Sequence, residues 1–146
     1  ITMTEFFQSH TLHNLIQDEQ MCNIYEEYLA SHFAWENFGF WYEVEQYKQE
    51  QEPEQRVQMA TSIFQKFLKE DSIFELGDVD IITRDTIESC LENPPLNMFD
   101  YLQKRAFDTL AQSTLQQFKA DYSSKLVPVA VPRRTDNRIF SSCFGR

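Results

Sequence analysis

Apolar side chains recur three and four positions apart along most of the first 125 residues. Met21, Ile24, Tyr25, Tyr28 and Leu29 fall at i, i+3, i+4, i+7 and i+8, with Glu26 and Glu27 on the opposite side. That spacing predicts an amphipathic helix whose stripe faces a core. Phe40, Val44 and Tyr47 repeat at i, i+4 and i+7, and Trp41 widens the face. Pro53 suits a first helical turn, where its missing N–H has no partner to lose, and Val57, Ala60, Phe64, Phe67 and Leu68 carry a third stripe on from it. The polar, Gly-containing stretch 69–83 reads as a connection. Asp85-Thr86-Ile87-Glu88 has capping-box spacing and predicts a short helix through Leu91. Asn93-Pro94-Pro95 stops it, because proline disfavours helical backbone in the residue before it. A long helix is predicted from about Phe99, with Leu102, Ala106 and Leu110 on one side. Capping-box spacing returns at Ser113–Gln116, ahead of an apolar face at Leu115, Phe118 and Tyr122. Residues 5–8 and 12–16 suit one or two turns each.

The pattern predicts an all-α protein, an antiparallel bundle of seven to nine helices. Residues 1–126 form one helical domain in this reading. After Lys125 the run Leu126-Val127-Pro128-Val129-Ala130-Val131-Pro132 favours extended backbone, so 127–146 is expected to be an extended basic tail or linker.

Composition narrows the function. At 146 residues, 42% hydrophobic and 14% aromatic, the chain buries a real core. Its three glycines, Gly39, Gly77 and Gly145, are scattered, which excludes the clustered-glycine phosphate loops. Net charge is −10, and it is unevenly spread: residues 1–125 hold 9 Lys+Arg against 22 Asp+Glu, and 126–146 hold 4 against 1. So acidic a body repels phosphate backbones and anionic lipid, which disfavours nucleic acid as a partner and membrane binding through the body, and it suits a partner with a basic patch. Cys22, Cys90 and Cys143 have no disulfide-framework spacing, and the expectation is a reducing, cytoplasmic setting with Cys22 and Cys90 as small apolar residues. No signal peptide or membrane-spanning run is visible. The start at Ile1 rather than Met is read as a piece of a longer, multidomain chain. The ending CFGR is not a prenylation signal.

Candidate chemistry is thin. His10 and His13 are spaced to share a helix face, but no third metal ligand has convincing spacing. No nucleophile elbow, HExxH or CxxC occurs. Carboxylate pairs such as Glu26–Glu27 and Glu43–Glu45 splay apart on a helix. With no catalytic residue, metal or cofactor indicated, the residues point to a binding module.

One stretch carries more. Residues 36–48, ENFGFWYEVEQYK, resemble the ENxxFWxxxxxYK signature of the regulator of G-protein signalling (RGS) domain. The resemblance continues through Pro53–Leu68, Thr83-Arg84-Asp85, Phe99-Asp100, Gln103-Lys104-Arg105, Phe107 and Phe118, covering about residues 11–126. It implies a bundle of about nine helices, a four-helix bundle beside a terminal subdomain. It also implies a GTPase-activating protein for heterotrimeric G-protein α subunits, not itself an enzyme, with GTP and Mg carried by the partner. Such a domain supplies no arginine finger; three interhelical segments hold the partner's switch regions in their transition-state arrangement. Here those segments are about 31–37, 69–83 and 108–117, and the α-subunit-binding residues implied are His32, Phe33, Ala34, Trp35, Glu36, Asn37, Asp78, Thr109, Ser113, Thr114 and Gln117. Membrane contact is expected only through the partner, at the inner face of the plasma membrane.

In that scheme Phe40, Trp41, Val44 and Tyr47 anchor a stiff helix, with Glu36 and Asn37 at its exposed entrance. An amide suits contact with a switch region because it both donates and accepts. The residues alone leave Asn37 between helix capping and partner contact; the resemblance favours contact. The sequence departs from the family pattern at several positions. His32 and Trp35 replace acids, Ala34 a serine, and Thr109 a leucine. Ser113 and Gln117 replace an aspartate and the arginine that holds it. Asp78 aligns near the usual asparagine, with one extra residue around Gly77. Trp35 either folds back on the bundle or is covered by a partner, and Ser113 is expected to cap the last helix. Retention of Glu36 and Asn37 favours an active GTPase activator; Ser113 and Gln117 favour an interaction module, effector or scaffold, without that activity. A bundle that only dimerises or docks another domain is a third reading.

Overall fold

The computed structural model describes residues 11–32 and 34–125, the last four by backbone alone. Among the described residues every regular element is helical: α1 (Leu12–Gln17), α2 (Glu19–Ser31), α3 (Glu36–Gln49), α4 (Pro53–Ile63), α5 (Ile81–Ser89), α6 (Asp100–Thr109) and α7 (Leu115–Lys125). Two π-helical segments, Phe64–Leu68 and Leu110–Thr114, continue α4 and α6. The all-α expectation holds. The turn expected at 5–8, the His10–His13 pair as a pair and the tail at 127–146 lie outside the described residues. The chain divides into a terminal unit, up to Trp35 and from Asp108 on, and a central unit, Glu36–Phe107.

In the terminal unit, side-chain caps set both first helices. Thr11 Oγ1 accepts from the Asn14 N–H at 3.3 Å and Asp18 Oδ1 from the Met21 N–H at 3.0 Å, each relieving an orphan donor of a first turn. The predicted stripe of α2, from Met21 to Leu29, is buried throughout. Phe118 of α7 meets two of its rings, Tyr25 at 5.0 Å and Tyr28 at 5.1 Å between centroids. Two expectations need correcting here. Glu26, placed on the polar side by spacing, is buried, and Cys22 is disulfide-bonded rather than a lone apolar thiol.

In the central unit, α3 supplies the aromatic centre. Phe40, fully buried, packs edge-on against Phe67 at 5.6 Å and Phe99 at 6.0 Å, and Tyr47 meets Phe99 at 5.3 Å. Edge-to-face pairs of this kind add to what burial alone contributes. The Tyr47 hydroxyl donates to the Pro95 carbonyl at 2.7 Å, so the ring buries without losing a polar partner. Gln103, also buried, donates to Glu45 at 2.7 Å and to the Trp41 carbonyl at 3.1 Å, and accepts from Lys48 at 2.8 Å. This ties α3 to α6. Lys66 pairs with Glu43 between the π-segment and α3.

Two helix boundaries differ from the sequence reading. Helix α5 starts at Ile81, not Asp85, because Asp80 takes the cap: its carboxylate accepts from the Thr83 N–H at 2.7 Å and the Thr83 hydroxyl at 3.0 Å. Those bonds hold its carboxyl below the usual range. Asp85 then lies one turn inside, and α5 ends at Ser89 rather than Leu91, followed by turns to Asn93. The second difference is larger. Residues 100–125 are helical without interruption, so no loop opens at 108–117 and no new helix is capped at Ser113.

Candidate functional site

Within the terminal unit, α2 ends in a wound-down turn. The His32 N–H reaches the carbonyls of Tyr28 at 3.1 Å and Leu29 at 3.3 Å, and the Ala34 N–H reaches Leu29 at 2.8 Å. Side chains tighten the same turn: the Ser31 hydroxyl donates to the Tyr28 carbonyl at 3.0 Å, and His32 Nδ1 lies 2.9 Å from that oxygen. The His32 ring also lies against the Tyr28 ring, 4.1 Å between centroids. His32 is therefore exposed but fastened, and Ala34 is half-buried. Trp35 is 7% exposed. Its indole belongs to the core, which decides between the two alternatives for that residue in favour of folding back. Phe33 lies outside the described residues.

The segment expected to be the third loop is a helical surface instead. Ser113 donates to the Thr109 carbonyl at 2.9 Å, and Gln116 to the Ala111 carbonyl at 3.3 Å. Serine hydroxyls bond back one turn in this way when a helix continues through them. Thr109, Ser113 and Gln117 are exposed and Thr114 is half-buried. The Gln117 amide donates to Asp121 Oδ1 at 3.3 Å. The other oxygen of that carboxylate, Oδ2, accepts from the Tyr28 hydroxyl at 2.7 Å. Burial, the hydrogen bond to Asp121 and the charge of Asp121 together push the Tyr28 hydroxyl up to about 12. Tyr28 and Asp121 thus join the end of α2 to the middle of α7, a link the sequence reading missed. The only signals for it were a tyrosine on the buried stripe and an acid one turn beyond Gln117.

In the central unit, Glu36 and Asn37 form the first turn of α3, both half-buried. Asn37 does not cap its helix: it stands inside the first turn, and among the described residues its side chain makes no hydrogen bond. What backs it is apolar. Phe38 and Phe40 are buried within the next three residues, and Trp41, one turn on, meets Phe107 at 6.0 Å.

Asp78 sits in the connection between the π-segment and α5. Its φ of 60° places it in the left-handed region, which aspartate tolerates better than most residues. Arg105 donates to its carbonyl at 3.0 Å, fixing the backbone and leaving the carboxylate exposed. Arg84 closes the same connection, with Nε on the Leu68 carbonyl at 2.6 Å and a guanidinium nitrogen 3.4 Å from Glu75.

Among the described residues no three His, Cys, Asp or Glu side chains gather as a metal site, and no helix is long and apolar enough to cross a membrane. Two shallow hollows of about 420 and 220 Å³, along α4, include none of the implied contact residues.

The family model for the regulator of G protein signaling domain matches residues 11–123. Among curated proteins, regulator of G-protein signaling 18 of Rattus norvegicus is 28% identical over 131 residues, covering 89% of this chain and 55% of its own. Regulator of G-protein signaling 21 of Homo sapiens is 28% identical over 120 residues, 82% of this chain and 78% of its own. Regulator of G-protein signaling 5 of Mus musculus is 26% identical over 118 residues, 80% and 65%. The chain spans about half the length of the first of these relatives.

Proposed function

Because this chain belongs to the regulator of G protein signaling domain family, we propose that it is a GTPase-activating protein for heterotrimeric G-protein α subunits and so ends G-protein signalling. It acts without catalytic residues of its own. The partner carries GTP, Mg and the reacting groups, and the domain lowers the barrier by binding the switch regions better in their transition-state arrangement than in the ground state. The observation that carries this reading is Asn37. Its amide is half-buried on a helix stiffened by fully buried Phe40, Val44 and Tyr47, and it makes no hydrogen bond among the described residues. A preorganised group that can both donate and accept is what a switch threonine and a water-orienting glutamine together need. Glu36 in the same turn and Asp78 in the central unit, and His32, Ala34, Thr109, Ser113, Thr114 and Gln117 in the terminal unit, are further contacts in this reading. In this reading the domain reaches the inner face of the plasma membrane through its partner.

A second reading rests on a different observation. The Ser113 hydroxyl and the Gln117 amide are engaged within their own helix, with Thr109 and Asp121, where the family pattern has a charged pair facing the partner. That supports a module that binds an α subunit as effector or scaffold without accelerating hydrolysis. Single-turnover GTP hydrolysis by a panel of α subunits, with and without the chain, separates the two. Acceleration of at least one subunit supports the first. Binding without acceleration at saturating chain supports the second.

A further inference from the structure

The α-subunit reading leaves open what holds the two contact segments of the terminal unit to each other. The family's aspartate–arginine pair does not do it here: Ser113 bonds Thr109, not Gln117. Other bonds join them. Asp121 uses both carboxylate oxygens, Oδ2 accepting from Tyr28 on α2 at 2.7 Å and Oδ1 from Gln117 on α7 at 3.3 Å. The first has the short length of a hydroxyl-to-carboxylate bond, the stronger kind. Tyr28 is an effective anchor because the rest of it is already fixed. It is buried, and its ring packs edge-on against Phe118 at 5.1 Å. Its own carbonyl receives the Ser31 hydroxyl and the His32 N–H, with His32 Nδ1 2.9 Å away. One residue therefore holds the exit of α2 by its backbone and α7 by its side chain.

We propose that Asp121 is a positioning residue: through Tyr28 it fixes the exit of α2, with Ser31, His32 and Ala34, to the α7 surface that presents Gln117. This rests on the α-subunit reading for its consequence, though not for its existence. Neither residue needs to touch the partner. Their effect is to remove freedom from two segments that must be met together, so the association is strengthened without a new contact.

The test uses the full chain with Tyr28→Phe, Asp121→Asn and the double variant. Tyr28→Phe keeps the ring packing and deletes the tie. The expected result is amide hydrogen exchange at residues 30–34 faster by about tenfold, the size expected for losing a charge-assisted bond in a local opening. In single-turnover hydrolysis, the chain concentration giving half-maximal acceleration rises several-fold while the plateau rate is unchanged. Asp121→Asn, whose carboxamide oxygen still accepts from Tyr28, falls between wild type and Tyr28→Phe. At residues 30–34 the double variant exchanges no faster than Tyr28→Phe, because without the Tyr28 hydroxyl the side chain at 121 has no tie to that turn left to weaken. Unchanged exchange at 30–34 in Tyr28→Phe overturns the tie, even if the melting temperature drops. Faster exchange with an unaltered half-maximal concentration overturns the positioning role. Faster exchange in a chain whose wild type accelerates no α subunit preserves the tie and defeats the GTPase-activator reading alone.

Discussion

Ser113 donates its hydroxyl to the carbonyl of Thr109, 2.9 Å away and one turn back on the same helical run. A side chain so engaged brings no charge to the surface it occupies, and Gln117, one turn on, is turned toward Asp121 instead. Replacing both at once, Ser113→Asp with Gln117→Arg, restores a charged pair at helical spacing. A bond to a charged group exceeds a neutral one by about 1 kcal/mol. We expect the double variant to bind the transition-state form of an α subunit several-fold more tightly. Titration against an α subunit carrying GDP and aluminium fluoride measures it. Equal or weaker binding would mean that this helical surface does not meet the partner.

Asn37 separates stability from function. Its side chain makes no hydrogen bond among the described residues, so Asn37→Ala should leave the melting temperature nearly unchanged, as for most substitutions away from packed or capped positions. If the amide is buried against the switch region, the same change costs about 1–3 kcal/mol of transition-state binding. A stability loss with unaltered binding would return the residue to a purely local role.

Trp35 should behave in the opposite way. It is 7% exposed, and a large side chain cut to alanine in a core costs about 3–5 kcal/mol. Urea unfolding of Trp35→Ala measures this. A loss below about 1 kcal/mol, in the range of surface changes, would place the indole outside the core.

How much of this was legible depended on whether the signal was periodic. The stripes of α2, of α3 and of α4 with its π-segment are legible because Tyr25, Leu29, Phe40, Val44, Phe64 and Phe67 are buried at the positions a helical period assigns, while Trp41 and Val57 on the same stripes are half-buried. Capping signals misled. Asp85–Glu88 has capping-box spacing, yet Asp80 stands five residues earlier with Thr83 three residues on, and whichever cap forms first along the chain makes the other internal. Ser113 looked like a start for the same reason, although serine equally continues a helix by bonding back. The resemblance puts Glu36 and Asn37 at the entrance of α3, where they stand, although half-buried rather than exposed because Phe38 and Phe40 follow directly into the core. No spacing rule brings Tyr28 to Asp121, 93 residues apart. A long-range polar bond of that kind is set by the packing of Tyr28 on Phe118 and leaves no local pattern.

That bond has a pH signature. Burial first, then the hydrogen bond and charge of Asp121, push the Tyr28 hydroxyl up to about 12. An unfolded tyrosine titrates near 10. A group whose folded value is the higher one contributes stability that is fully present below the unfolded value and is lost as pH rises through the folded value, because only the unfolded chain gives up its proton in between. Burial also raises Tyr25 and Tyr47, so wild-type stability should fall from about pH 10 upward through several groups at once. Tyr28→Phe isolates one of them. Near neutral pH it should be less stable than wild type, since the bond to Asp121 is gone. Between about pH 10 and 12 that deficit should shrink, because the variant has no proton at this site for its unfolded chain to release. Chemical denaturation of both chains at pH 8, 10, 11 and 12 reads the difference, with lysine and the other tyrosines common to each. A deficit that stays constant across the range would mean that Tyr28 titrates alike in the folded and unfolded chain, and that Asp121 does not hold its proton.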